Sequence, residues 1–193
     1  MIRIALIRHG HTPWNRAGQI QGRTDIALDQ QAKEDLSGFS LPAEWHAAQI
    51  VSSPLKRATE TAGILAGEPV TIPALTEMNW GDWEGLKTAE LGRDPSSGYR
   101  HIEEWGWGFR PPQGESLADV RARVMPWVLG LTTDTLAVCH IGIMRVVLGQ
   151  AFGWNFTGEP PFTVKRNRLF VLELNKGSLQ PADPLVVRLP KRS

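Results

Sequence analysis

The sequence predicts an α/β fold class, a three-layer α/β/α sandwich with a mainly parallel central sheet. Three observations carry this. Short apolar runs at residues 2–7, 48–51 and 136–139 alternate with segments of helix formers, the pattern of strands whose sheet is covered on both faces. The first run stops at Arg8-His9-Gly10, as a buried strand feeding a glycine turn does. The 193 residues show no internal repeat or low-complexity linker, and that length suits one domain, residues 1–193, with one substantial core.

In chain order, residues 2–7 form the first strand, and residues 29–38 carry helix formers that stop near Gly38. The run 48–51 is a second strand ending in Ser52-Ser53-Pro54. Ser53 and Pro54 read as N-cap and first helical position, because proline's missing N–H costs nothing there. The helix that follows should span 54–66, with Ala58, Ala62 and Leu65 on one face and Gly67 at its end. Residues 70–72 form a third strand. The Trp-, Gly- and Pro-rich stretch 75–113 reads as mostly irregular, with a short helix at 86–91, and residues 86–113 as a segment flanking a pocket. Gly114-Glu115-Ser116 opens a helix over 116–130, residues 136–139 make a buried strand, and an apolar helix covers 142–152. Residues 169–174 and 185–189 finish the sheet, and their alternation could form an edge that pairs in a homodimer.

Composition excludes several classes of partner. With 41% hydrophobic and 21% charged residues and a formal net charge of +1, no global field steers the chain to nucleic acid or an anionic membrane. Affinity for phosphate must then come from a local basic cluster. The single cysteine, Cys139, rules out an intramolecular disulfide. Arg8 interrupts the N-terminal apolar run too early for a signal peptide, and no stretch approaches the roughly 18 apolar residues of a membrane span. The expected compartment is the cytoplasm.

Four segments carry chemistry-bearing residues. Arg8-His9-Gly10-His11-Thr12-Pro13-Trp14-Asn15 joins a histidine, nucleophilic when neutral, to a guanidinium that favours the neutral form and matches phosphate oxygens bidentately. Gly10 admits close backbone approach. In Ser52-Ser53-Pro54-Leu55-Lys56-Arg57, Arg57 lies in a first helical turn, where side chains lean toward an anion at the free N–H groups. Glu77 to Gly85 offers three carboxylates, of which one could protonate a leaving alkoxide; Asp82 and Glu84 read as a solvated acidic loop. Cys139-His140-Ile141-Gly142-Ile143-Met144-Arg145 is a strand end meeting a helix start. Arg8-His9 and His140 therefore both sit at carboxyl ends of strands, with Arg57 close behind a third, and that edge of an open sheet is where ligands bind.

In this order the segments resemble the histidine phosphatase, or phosphoglycerate mutase-like, superfamily. The resemblance rests on Arg8-His9-Gly10 with Thr12, Trp14 and Asn15, then on Ser53-Pro54-Leu55 with Arg57-Ala58 and Thr61-Ala62. It continues through Glu77 with Gly81-Asp82-Trp83-Glu84-Gly85, then Gly114-Glu115-Ser116, and ends at His140 with Gly142 and Arg145. It implies a phosphomonoester hydrolase acting on a small phosphorylated metabolite, with His9 as a transiently phosphorylated nucleophile. Arg8, Arg57 and His140 would surround the phosphoryl group, with Asn15, Gly10, Thr12 and the Ile141 N–H as further contacts. Glu77 would be the acid and then the base. No metal and no organic cofactor is implied.

Three positions depart from the family pattern. His11 replaces an acidic or small polar residue, and is expected to sit aside. Ile141 replaces a glycine, which keeps its N–H available only at negative φ. The run Asp25 to Ala32 lacks the usual Pro-Leu-Thr and glycine, read as drift away from the chemistry. The short segment 86–113 favours a phosphatase over a phosphoglycerate mutase, which must exclude water. A metal-dependent hydrolase using His9 and His11, and a silent phospholigand-binding protein, are the readings from other classes. Trp105, Trp107, Phe109 and Arg110 are expected to flank the pocket, with Arg100 or Arg110 meeting a second anionic group.

Overall fold

The apolar runs become the strands of one six-stranded sheet in the computed structural model, which describes residues 1–192. The strands are β1 (Ile2–Arg8), β2 (Gln49–Ser52), β3 (Val70–Thr71), β4 (Thr135–Cys139), β5 (Arg168–Asn175) and β6 (Ser178–Arg188), ordered β3-β2-β4-β1-β5-β6. β3, β2, β4 and β1 run parallel, while β5 and β6 add an antiparallel flank. β1 and β4 lie in the middle, and Ile4, Leu6, Ala5 and Ile7 with the whole of β4 are buried. That explains why both read as unbroken apolar runs rather than alternations.

The period of two along β1 divides its side chains between two core layers. Ala5 and Ile7 face a layer with Leu36 of α2 (Gln30–Ser37) and Ala58, Ala62 and Leu65 of α3 (Lys56–Ala66). Ile4 and Leu6 face the other layer, filled by α5 (Leu117–Leu129), α6 (Ile141–Phe152) and the tryptophans of the 75–113 stretch. Each fully buried Leu or Ile of these layers contributes about 1.5–3 kcal/mol of transfer free energy. The three-layer sandwich expected from the sequence is the one observed.

Local differences have local causes. The helix of Arg57 starts at Lys56, not Pro54. Ser53 does not cap it, because the Ser53 hydroxyl is engaged elsewhere, and Asp25 Oδ1 accepts the Lys56 N–H at 2.8 Å instead. A one-turn helix α1 (Pro13–Arg16) follows β1, closed by a Thr12–Asn15 capping box with Pro13 in its first turn. The short helix of the irregular stretch is α4 (Thr88–Leu91). β6 begins at Ser178, seven residues before the expected 185, and turns back from β5 through Lys176 and Gly177, both at positive φ. Its Pro181 and Pro184 masked it in the sequence; proline is tolerated on such an edge strand.

Candidate active site

β1, β4 and β2 end side by side, and the loops leaving them build the site. His9 follows β1 directly, and its N–H reaches Cys139 O of β4 at 3.0 Å. The His9 ring is almost wholly buried, with Nδ1 at 2.6 Å from Gly10 O. A carbonyl only accepts, so Nδ1 carries the proton and Nε2 keeps its lone pair. Burial first, then Arg57, Arg8 and Arg166, push the His9 pKa well below the ordinary histidine value.

His140 lies beside it, with ring centroids 5.1 Å apart. Arg57 Nε donates to His140 Nδ1 at 3.2 Å, and His140 Nε2 stands 2.7 Å from Ser53 Oγ. A guanidinium N–H can only donate, so Nδ1 accepts, and the neutral ring donates from Nε2 to Ser53. Burial, then His9, Arg57 and Arg8, hold this histidine neutral as well. Arg57 is fully buried and spends two further donors on the carbonyls of Thr24 (2.9 Å) and Gly22 (2.6 Å). The loop segment 22–25 between α1 and α2 thus grips Arg57 and caps its helix. Of the run 25–32 read as drift, only Asp25 belongs to this clamp, through the Lys56 N–H.

Glu77 enters from the 75–113 stretch. Its Oε1 accepts from the Met78 N–H at 2.8 Å and its Oε2 from the Gly142 N–H at 3.1 Å. Burial raises its pKa, against the pull of those two N–H groups, Arg57 and Arg8. Arg123 of α5 braces the segment through Ala74 O (2.6 Å) and Glu77 O (3.3 Å), and Glu115 holds Arg123 and the Asn79 N–H. Glu84 is no solvated loop acid: it accepts from the N–H groups of Arg23 (2.7 Å) and Thr24 (2.9 Å).

A cavity of about 380 Å³ is walled by Arg8, His9, Asn15, Glu77, Ile141 and Arg145, with Gln21, Tyr99, Trp80 and Trp105 further out. Arg8 Nε is buried without a partner among the described residues, and burial with Arg166 brings its pKa down to about 9. Asn15 Oδ1 accepts from Arg166 Nη2 (2.9 Å), leaving the amide nitrogen for the cavity. Ile141 is the first residue of α6 and has negative φ, so the missing glycine costs no backbone strain, and its N–H has no partner within the helix.

Two expected contacts serve the scaffold instead. A β-carbon on Gly10 would meet Leu36 Cδ1 at 2.8 Å, so this glycine permits packing on α2 rather than close approach of a ligand. The Thr12 hydroxyl is buried, caps α1 and donates to Gln21 Oε1 at 2.8 Å. His11 is outside the cavity wall, with its partly buried ring facing Arg166 and Arg16, no setting for a metal ligand. Trp105 lines the cavity and stacks on Phe109 at 4.7 Å, while Trp107 packs on Phe156. Arg110 pairs with Asp119 at 2.6 Å and shares a separate hollow with Arg100, so neither faces His9. Sequence reasoning missed Arg166, whose Nε donates to His9 O at 3.0 Å. Nothing around Arg166 in the sequence distinguishes it from a solvated loop arginine. Its pKa is lowered to about 10 by burial and Arg16.

The model of the histidine phosphatase superfamily (branch 1) matches residues 4–182. The chain belongs to this family. A glucosyl-3-phosphoglycerate phosphatase of Mycolicibacterium vanbaalenii is 34% identical over 157 residues, 78% of this chain and 69% of that one. A 2,3-bisphosphoglycerate-dependent phosphoglycerate mutase of Cytophaga hutchinsonii is 31% identical over 133 residues, 64% of this chain. The match spans only 62% of that mutase's length. The crystal structure of a phosphoglycerate mutase from Thermus thermophilus superposes with a TM-score of 0.74 at 28% identity, covering 98% of this chain and 99% of that one. The histidine phosphatase fold is therefore shared along nearly the whole chain. No helix among the described residues is long and apolar enough to cross a membrane.

Proposed function

We propose that this protein is a metal-independent, acid-type phosphomonoesterase acting on a small phosphorylated metabolite through a phosphohistidine at His9. The observation that carries the reading is the His9 Nδ1 to Gly10 O contact of 2.6 Å, which reserves Nε2 as a nucleophile in a cavity shared with Glu77. Nε2 attacks phosphorus, the P–N bond forms and the ester P–O bond breaks. The Glu77 carboxyl proton passes to the departing alkoxide oxygen. Water then attacks phosphorus, the P–N bond breaks, and the Glu77 carboxylate takes the water proton as phosphate leaves.

Phosphoryl transfer asks chiefly for positioning and charge stabilisation. Arg8 and the Ile141 N–H supply both at the cavity wall, with Asn15 beside them. Arg57 sits behind His140 and acts on the site through that ring and through its charge. A divalent cation would be repelled by the guanidiniums gathered here, which supports metal-free chemistry. The relative from Mycolicibacterium vanbaalenii supports hydrolysis, and the aromatic outer wall suits a leaving group with a flat or sugar-like face.

The test is phosphate release from a panel of phosphomonoesters in EDTA, with wild type and His9→Ala side by side. Release that survives EDTA and falls about 10³-fold or more in the variant is expected. Release abolished by EDTA, or retained by His9→Ala, overturns the proposal. Isomerisation of a monophosphoglycerate without net phosphate release would replace hydrolysis by mutase chemistry.

A further inference from the structure

The His9 side of the cavity is braced from a segment that no motif marks. β5 pairs antiparallel with β1, with Leu6 opposite Phe170. Continuing that register brings the residues just before β5 alongside His9 and Gly10. Asn167, between Arg166 and the first residue of β5, has a φ of 57°, a left-handed conformation that asparagine tolerates better than most residues. The chain bends there, and Arg166 crosses the end of β1. Arg166 is not part of the cavity wall; it reaches two oxygens that lie behind it. Its Nε donates to His9 O at 3.0 Å and its Nη2 to Asn15 Oδ1 at 2.9 Å. One planar fork thus ties the residue that ends β1 to a side chain of α1.

Each contact decides an orientation that local structure leaves loose. The Asn15 amide oxygen otherwise receives only the Thr12 N–H, at 3.3 Å, and one long bond holds an amide weakly against rotation. A guanidinium N–H can only donate, so Arg166 admits the oxygen alone and turns the Asn15 nitrogen, with its two donors, to the cavity. The His9–Gly10 peptide is clamped at both ends, its carbonyl by Arg166 and its N–H by Thr61 Oγ1 at 3.0 Å. Thr61 is itself fixed, since its hydroxyl donates to Arg57 O at 2.6 Å. The next carbonyl, Gly10 O, takes the His9 Nδ1 proton, and a glycine alone would leave that carbonyl free to turn.

We propose that Arg166 is a positioning residue for phosphoryl transfer: it presents the Asn15 amide as a donor to the phosphoryl oxygens and holds the His9 backbone from which the nucleophile is aimed. It touches no reacting atom and acts through these two neighbours. The inference rests on the phosphatase reading for what enters the cavity.

The test separates geometry from charge. Arg166 also adds positive charge near His9 and Arg8, so the variant to use is Arg166→Lys, which keeps the charge and gives up the fork. Inorganic phosphate is titrated by calorimetry into wild type, Arg166→Lys, Asn15→Ala and the double variant, and kcat is measured on p-nitrophenyl phosphate. With Asn15 present, Arg166→Lys should weaken phosphate binding about tenfold. In the Asn15→Ala background it should weaken it by no more than about twofold, since the amide it would orient is gone. The kcat should fall about tenfold or more in both backgrounds, because His9 O loses its donor in each. In Arg166→Ala, millimolar guanidinium should restore part of both losses, as it would not in a variant whose fold had failed. Phosphate affinity and kcat unchanged in Arg166→Lys, or phosphate weakened equally with and without the Asn15 amide, overturn the inference and leave hydrolysis at His9 intact. Coupling of Arg166 to Asn15 in phosphate binding, in a protein that hydrolyses no ester, would instead remove the phosphatase reading and leave Arg166 as the residue that sets an anion site.

Discussion

Gly142 donates its backbone N–H to Glu77 Oε2 at 3.1 Å, and a side chain on Gly142 would collide with the other oxygen of the same carboxylate. The residue beside the cavity-facing end of α6 is thus shaped by the carboxylate it abuts. Ile141 tolerates a β-branched side chain because its φ is helical, whereas Gly142 needs to be bare because of what stands over it. Gly142→Ala should push Glu77 off its two N–H donors. Displacement of a proton donor by about 1 Å costs on the order of 10²-fold in rate. The expected result is that loss in kcat, with inhibition by inorganic phosphate little changed. An unaltered kcat in Gly142→Ala would show that Glu77 is not held in place by this contact.

The direction of the Glu77 and His9 shifts sets the pH profile. In the proposed reaction Glu77 donates as the acid form, which its raised pKa preserves to higher pH than an ordinary carboxyl. His9 stays neutral well below the usual histidine range. Activity should therefore peak at mildly acidic pH and fall as pH rises through the Glu77 pKa. Glu77→Gln should lower kcat for alkyl phosphates by about 10²–10⁴-fold. It should lower it much less for p-nitrophenyl phosphate, whose leaving group needs no proton, and should flatten the alkaline limb. Rate profiles from pH 4 to 9 on both esters decide this, and a flat wild-type profile from pH 5 to 9 would remove Glu77 from the role.

Much of this site was legible because chemistry and local structure coincide. His9 and His140 end apolar strands, so their position at the sheet edge followed from the strands alone, and Glu77 followed from the resemblance. Contacts that cross between distant segments were not legible. Ser53 has the local signature of an N-cap, yet its hydroxyl goes to His140, 87 residues away. Asp25, Glu84 and Glu115 look like surface acids until the chain folds their N–H and guanidinium partners onto them. Arg166 meets His9 O only once the segment before β5 folds over the end of β1, and no periodicity encodes that placement. In the fold the same limit appears in β6, where two prolines hide an edge strand that pairing with β5 stabilises.

Two buried neutral histidines also make stability depend on pH. Their folded pKa values lie well below the ordinary histidine value, so below about pH 6.5 the unfolded chain binds protons that the folded protein does not. Stability is then present above that pH and is lost as pH falls, by about 1.4 kcal/mol per pH unit for each histidine. Glu77 acts in the opposite sense between the ordinary carboxyl range and its raised value, as one proton against two. Urea midpoints at pH 8, 7, 6 and 5 should fall below pH 6.5, and His140→Asn should make the decline shallower. Midpoints independent of pH would mean that these rings are charged in the folded state.

The last dependence runs from Glu84 to the His9–His140 pair through the 22–24 backbone and the Arg57 side chain. Burial opposes ionisation of Glu84, yet the Thr24 hydroxyl and the N–H groups of Arg23, Thr24 and Trp80 outweigh it and hold the carboxyl below its ordinary value. The anion thereby fixes the 22–24 segment, whose carbonyls fix Arg57, whose Nε fixes the His140 ring. Glu84→Gln keeps the shape but offers one acceptor oxygen where two served, so an N–H of the segment loses its partner at a cost of about 1–3 kcal/mol. The expected outcome is a lower unfolding midpoint together with weaker inhibition by inorganic phosphate, although Glu84 touches neither His9 nor His140. Asp82→Asn, on the neighbouring carboxylate that serves no such clamp, should change neither quantity. If both substitutions weaken phosphate binding equally, general acidity of the loop rather than the Glu84 clamp would be what the site responds to.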